Sequence, residues 1–127
     1  MMKFANVRRV CQSLAIGLAL GGLVSGPASA AGGWSLSAVP TSIHFVRNEG
    51  FILYGAFGNT GATPCGVGDA LWVPIAHPQY QGLLSASLTA FTAGLKIQGY
   101  AHGCTMVGWI GATFAEVSAG SALIVAK

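Results

Sequence analysis

The chain has 127 residues, of which 53% are hydrophobic and only 7% are charged, with six Lys and Arg against three Asp and Glu. This composition excludes an intrinsically disordered chain, which would be poor in apolar residues and rich in charge. Taken alone, the formal net charge of +3 would favour a nucleic acid or an anionic lipid as partner.

The first 30 residues have the layout of a bacterial secretory signal peptide. A basic start is followed by an apolar stretch from Leu14 to Val24 and by small residues at Ala28, Ser29 and Ala30, which predicts cleavage after Ala30. A membrane anchor is the alternative, but the apolar stretch has 11 residues, whereas about 20 are needed to cross a hydrocarbon core. We therefore expect a secreted or periplasmic protein with no membrane span after cleavage.

Cleavage there would leave residues 31–127, a length that suits one domain. Three of the six basic residues belong to the signal, so the three that remain balance the three acidic residues. A domain with no excess of cations releases few counterions from a phosphate backbone. Nucleic acid is therefore not an expected partner.

The predicted domain contains two cysteines, Cys65 and Cys104. In an exported domain an even cysteine count predicts a disulfide. The alternative is a metal site that includes His77 or His102, but no C-x-x-C or H-x-x-x-H spacing is present. We expect the disulfide, and no metal or other cofactor.

The sequence of the first half of the domain predicts three strands. The alternating stretch 42–47, the turn residues Asn48, Glu49 and Gly50, and the apolar run 51–57 predict a β-hairpin. A glycine-rich stretch, 58–68, predicts a loop, and the apolar run 70–73 predicts the third strand.

The period changes between Pro78 and Ala93, which predicts a helix there, with Gly94 as the residue just past its end. Its predicted apolar stripe consists of Tyr80, Leu84, Leu88 and Phe91. The other face carries no charged residue, so a neighbouring subunit could cover it.

Two further strands are predicted at 96–102 and 107–117, which makes the order β-β-β-α-β-β, and a short extra strand at one end of the domain is left open. Gly99 and Gly111 lie inside these predicted strands. Glycines at such positions let a small sheet bend sharply into a barrel. The sequence thus predicts a mainly β domain with one helix.

Catalytic motifs are poorly represented. Gly66 and Gly68 resemble the start of a dinucleotide loop, but the third glycine is missing and a strand follows instead of a helix. No serine lies in a Gly-x-Ser-x-Gly elbow. We therefore predict that the protein is not an enzyme.

Aromatic residues give a better indication of a binding site, because sugar rings and apolar ligands stack on exposed aromatic faces. Trp72 and Phe114 are predicted to lie in the core. The turn at Asn48 and Glu49 offers polar side chains for hydroxyl groups. The predicted ligand-binding residues are Trp34, Tyr100 and His102, with Asn59 and Thr60 in the glycine-rich loop.

The stretch from Cys65 to His102 resembles the binding (B) subunit of subtilase-type AB5 toxins and related small secreted bacterial proteins. It contains a cysteine, the sequence Leu-Trp-Val-Pro at 71–74, an amphipathic helix, Gly94 and the strand that begins at Lys96. The similarity covers about 40 of the 97 residues in pattern and not in identity.

This resemblance implies an OB-fold, which is a five-stranded barrel with a helix between its third and fourth strands. It also implies a disulfide, a homopentamer assembled around the helices and a cell-surface glycan as partner. The family's sugar-contacting residues cannot be matched here, so the resemblance assigns no binding residue.

Together these patterns predict an exported, disulfide-stabilised binding protein, with a glycan as its ligand. A periplasmic module that binds or inhibits another protein is the alternative.

Overall fold

A computed structural model describes residues 32–58 and 64–127. The predicted signal peptide with its cleavage point after Ala30, and the predicted ligand-binding residues Asn59 and Thr60, lie outside the described residues. Within the described ranges, no helix has the length and apolar character that a membrane crossing requires.

The described chain forms eight strands and one helix. In chain order these are β1 Gly33–Trp34, β2 Ser42–Val46, β3 Gly50–Tyr54, β4 Val67–Pro74, α1 Tyr80–Ala93, β5 Lys96–Ala101, β6 Cys104–Val107, β7 Ala112–Glu116 and β8 Leu123–Ala126. The prediction of a mainly β domain with one helix is confirmed.

The larger sheet has five strands in the order β2-β3-β4-β7-β6. Strands β2 and β3 form the predicted hairpin, in which Phe45 lies opposite Phe51. The turn between them places Asn48 at φ 58° and Gly50 at φ 148°, where a glycine avoids the strain that a side chain would cause. Strands β4 and β7 are parallel, and the other neighbouring pairs in this sheet are antiparallel.

A smaller sheet, in the order β1-β5-β8, contacts the larger one. A Cβ atom added to Gly99 of β5 would lie 2.7 Å from a methyl group of Leu71 and 3.0 Å from a methyl group of Leu123. Glycine at this position therefore allows the close approach of the two sheets.

Helix α1 begins at Tyr80 and ends at Ala93, and Gly94, with φ 65°, supplies the left-handed cap after it. The helix and its end are confirmed, but its buried side is rotated from the predicted stripe. Leu83, Ser87 and Ala90 are its buried residues. Tyr80 and Leu84 pack partly against the core, whereas Leu88 and Phe91 are exposed.

Two clusters of buried residues lie on opposite faces of the larger sheet. One lies beneath α1 and includes Phe51, Leu53 and Leu71. The other includes Trp72 and Phe114, so the prediction that both lie in the core is confirmed.

The run 107–117 was predicted as one strand, and this was wrong. Strand β6 ends at Val107, residues 108–111 form a turn, and β7 begins at Ala112. Gly111 has φ 71° and therefore serves the turn and not a bend within a strand. The two sheets are not closed into a barrel, and the predicted OB-fold is not confirmed.

Candidate functional site

A groove of about 370 Å³ lies between the β2–β3 turn and the β6–β7 turn. Its walls are Phe45 and Trp109, and its charged members are Arg47 and Glu49. We call it the turn groove. It brings two aromatic rings and two opposite charges to one concave surface.

Both aromatic walls are exposed to solvent. Phe45 is 61% exposed although Phe51, its cross-strand partner, is fully buried. Trp109 is 74% exposed and projects from the β6–β7 turn between Gly108 and Gly111. Burial of large apolar side chains lowers the free energy, so two exposed rings beside one groove favour a ligand that covers them.

The main chain of the turn groove is held firmly while its charged side chains face solvent. The Glu49 N–H donates to the Val46 carbonyl at 3.1 Å, and the Glu49 carbonyl accepts the Ile75 N–H at 2.7 Å. Arg47 and Glu49 are exposed. Within residues 32–58 and 64–127 their side chains form no ion pair with each other, so both remain able to bind a ligand.

Three of the predicted ligand-binding residues lie together at a second surface, the aromatic row of Trp34, Tyr100 and His102. Trp34 and Tyr100 are opposite each other on β1 and β5, with ring centroids 5.3 Å apart and an interplanar angle of 74°. The rings of Tyr100 and His102 are 5.1 Å apart, also at 74°. Edge-to-face pairs of this kind stabilise each other.

Two hydroxyl groups orient His102 at the end of the row. Its Nδ1 lies 2.7 Å from Ser121 Oγ and 3.3 Å from Ser118 Oγ. Trp34 and His102 are exposed, while Tyr100 is partly buried. The aromatic row is thus partly open to solvent, with its neighbouring rings edge to face, whereas the turn groove is concave.

The predicted disulfide is confirmed. Cys65 and Cys104 are bonded, with their Cα atoms 5.5 Å apart. The bond joins the segment before β4 to the first residue of β6, two positions after His102 of the aromatic row. Across the described part of the chain, no group of three or more His, Cys, Asp or Glu residues could hold a metal ion.

Sequence reasoning anticipated Glu49 as a polar contact but missed Phe45, Arg47 and Trp109. Phe45 belongs to an alternating strand, and this pattern does not reveal that its side chain is exposed although Phe51 opposite it is buried. Trp109 could have been found, because a tryptophan flanked closely by two glycines is typical of an exposed turn.

No protein-family model, curated protein or solved structure matches this chain. The resemblance to toxin binding subunits therefore stays a prediction, as does the absence of enzymatic activity.

Proposed function

We propose that this chain is an exported, disulfide-stabilised binding protein that holds a glycan in the turn groove. The observation that carries the proposal is the pair of exposed rings, Phe45 and Trp109, on the walls of one groove with Arg47 and Glu49. Sugars combine an apolar face of C–H groups with a rim of hydroxyl groups, and this groove offers partners for both.

The chemistry of the four side chains fits such a ligand. The indole ring of Trp109 presents a rigid face for stacking, and Phe45 can cover the ligand from the strand side. The Arg47 guanidinium donates hydrogen bonds and the Glu49 carboxylate accepts them. A sugar hydroxyl does both, so two neighbouring hydroxyls can engage both charged groups.

The connectivity of the larger sheet supports an OB-fold as the finer description of the domain. Counted along the chain, its strands pair in the order first, second, third, fifth, fourth, and α1 lies between the third and the fourth. The third and fifth strands are parallel. This is the order of an OB-fold, whose five-stranded barrel is often partly open.

Within this proposed fold, the turn groove has an informative position. OB-folds bind oligosaccharides and oligonucleotides with the loops that join strands one to two and four to five. Arg47 and Glu49 lie at the first of these loops, and Trp109 lies in the second. An oligonucleotide is the poorer ligand, because one arginine offers little neutralisation of a phosphate backbone.

A glycan array probed with the oxidised protein tests the proposal, with Phe45→Ala and Trp109→Ala as site variants. We expect each variant to weaken binding by about tenfold or more, which corresponds to about 1.4 kcal/mol. Both side chains are exposed, so folding should be unaffected, as circular dichroism would verify. Failure of the oxidised wild-type protein to bind any glycan would contradict the proposal.

Trp34→Ala is the matched control, because Trp34 is also exposed but belongs to the aromatic row. We expect it to retain binding. If Trp34→Ala and not Trp109→Ala abolishes binding, the glycan site is the aromatic row that the sequence predicted.

A protein partner is the second candidate, favoured by further exposed apolar residues on the β6–β7 hairpin. Met106 and Ile110 are exposed near Trp109, and together they extend the apolar surface beyond the groove. A single stable partner in a pull-down of periplasmic proteins, lost in Trp109→Ala, together with an empty glycan array, would favour this function.

A further inference from the structure

The turn groove presents one cation and one anion that do not neutralise each other. Arg47 directly follows β2, and Glu49 directly precedes β3. Both side chains line the groove and are exposed. Among the described residues, neither side chain has a hydrogen-bond or ion-pair partner. Both charges are therefore open to a ligand.

The main chain of the β2–β3 turn fixes the points from which these two side chains extend. Val46 and Gly50 are paired across the hairpin, and the Glu49 N–H donates to the Val46 carbonyl at 3.1 Å. The Glu49 carbonyl accepts the N–H of Ile75, the residue after β4, at 2.7 Å. Because the turn is already held in place, little main-chain ordering opposes the binding of a ligand there.

The groove carries no net charge, since its four lining residues include one basic and one acidic side chain. Outside the groove, residues 31–127 contain two lysines and two acidic residues, so the rest of the domain favours neither sign. A ligand with a single charge is attracted by one charged residue of the groove and repelled by the other. A ligand that carries both charges is attracted by both residues.

Charged groups bind these side chains more strongly than hydroxyl groups do. A guanidinium donates two parallel hydrogen bonds to a carboxylate, and a carboxylate accepts charge-assisted hydrogen bonds from an ammonium group. A neutral sugar engages Arg47 and Glu49 through its hydroxyls, and each of those hydrogen bonds has only one charged partner. A sugar that carries both a carboxylate and an ammonium group therefore binds more tightly than a neutral sugar.

The aromatic walls determine the rest of the ligand. Phe45 is 61% exposed and Trp109 is 74% exposed, so both are covered best by a ligand with an apolar face. The C–H groups of a pyranose ring form such a face, while its substituents extend from the rim. A pyranose with both charged substituents therefore offers a partner to each of the four lining residues.

We propose that the turn groove prefers a sugar that carries both a carboxylate and a protonated amino group. The carboxylate lies on Arg47, the ammonium group lies on Glu49, and the ring lies between Phe45 and Trp109. This inference rests on the proposed glycan-binding function and names the class of sugar that this function takes.

Nuclear magnetic resonance of the ¹⁵N-labelled, oxidised protein tests the preference, with the indole N–H signal of Trp109 as the readout. The probes are glucose, which is neutral, glucosamine, which carries the cation, N-acetylmuramic acid, which carries the anion, and muramic acid, which carries both. At about pH 6 the free amines are protonated and the carboxylates are ionised. We expect muramic acid to bind about fivefold or more tightly than each other probe, because it engages two exposed charges that each contribute modestly.

The outcomes separate this preference from the glycan function itself. Equal affinity for glucose and muramic acid would overturn the preference, as would tighter binding of a singly charged probe or no saturable shift with any probe. In each of these cases a positive glycan array would leave the proposed glycan function standing. An empty array would remove both.

Two variants assign the charges of the ligand to the charges of the groove. With Arg47→Gln only the anion of the groove remains, so we expect glucosamine to bind more tightly than N-acetylmuramic acid. With Glu49→Gln only the cation remains, so we expect the reverse order. Both side chains are exposed, so the fold should be unaffected. Equal weakening of all four probes in both variants would overturn the assignment, because a purely structural role predicts that result.

Lys96→Gln is the matched control, because Lys96 is also exposed and basic but lies on β5, outside the turn groove. It removes the same charge from the protein as Arg47→Gln does. We expect it to keep the wild-type preference for muramic acid. A change in preference as large as that of Arg47→Gln would overturn the proposal, since net charge and not the groove would then set the preference.

Discussion

Three glycines show how a single residue type serves different purposes along this chain. At Gly50, with φ 148°, an added Cβ atom would lie 2.1 Å from the Val73 carbonyl oxygen. At Gly94, with φ 65°, and at Gly82, in the helix, an added Cβ would meet nothing within 4 Å. The loss of stability on replacing one of these glycines therefore depends on its φ angle and on the atoms around it.

Alanine substitutions at these three positions should differ in sign and size. We expect Gly50→Ala to lower the free energy of unfolding by about 3 kcal/mol or more, because the chain must shift to relieve the clash. Gly94→Ala should cost about 1–2 kcal/mol from its left-handed conformation alone. Gly82→Ala should raise stability by up to about 1 kcal/mol. Urea denaturation measures all three, and a Gly50→Ala protein as stable as Gly94→Ala would contradict the packing argument.

Tyr80 makes stability depend on alkaline pH. Burial raises the pKa of its phenol in the folded protein above the ordinary value of 10.0, so the unfolded chain loses this proton first. The resulting stabilisation is complete below pH 10.0 and is lost as the pH rises through the raised pKa. We expect the stability of the wild-type protein relative to Tyr80→Phe to fall over this range. A difference that does not change with pH in urea denaturation would contradict this.

At the scale of elements, the helix and the β2–β3 hairpin were predictable because their signals are local. Proline near the start, glycine at the end and a helical period define α1, while a turn between two apolar runs defines the hairpin. The rotation of α1 was not predictable. Ser87 and Ala90 are buried since small residues allow close approach to the sheet, and the Ser87 hydroxyl is satisfied by the Leu83 carbonyl at 2.7 Å.

The disulfide links elements that are distant in sequence, and its contribution can be measured. Cys65 and Cys104 are separated by 39 positions, and closing a loop of that size stabilises a fold by about 4 kcal/mol on the chain-entropy account. We expect the Cys65→Ser, Cys104→Ser double variant to lose about this amount in urea denaturation. The loss should equal that produced by reducing the wild-type protein. A double variant as stable as the oxidised protein would contradict the prediction.

At the scale of the whole molecule, the described surface is unusually apolar and weakly charged. Leu88 and Phe91 are 41% and 43% exposed on α1, and the polar residues on its outer side carry no charge. The homopentamer that the toxin resemblance implies would cover this helix, and it stays a prediction.

Light scattering coupled to gel filtration tests this assembly. We expect an oligomer for the wild-type protein and a shift towards the monomer for Leu88→Ser, Phe91→Ser, because burial of these side chains would drive association. Met106→Ser is the matched control, since Met106 is exposed on β6, away from the helix in sequence. A strictly monomeric wild-type protein would remove the pentamer.

The sequence by itself determined the mainly β class, the single helix, the disulfide and the core positions of Trp72 and Phe114. Each of these follows from local periodicity, turn chemistry or cysteine count. Only the tertiary structure decided that Trp109 faces Phe45 across a groove, and that Trp34, Tyr100 and His102 form one row. The physical reason is that strand pairing brings together residues far apart in the chain. A period-two pattern predicts on which face of the sheet a side chain lies, but it does not predict which other side chains surround it.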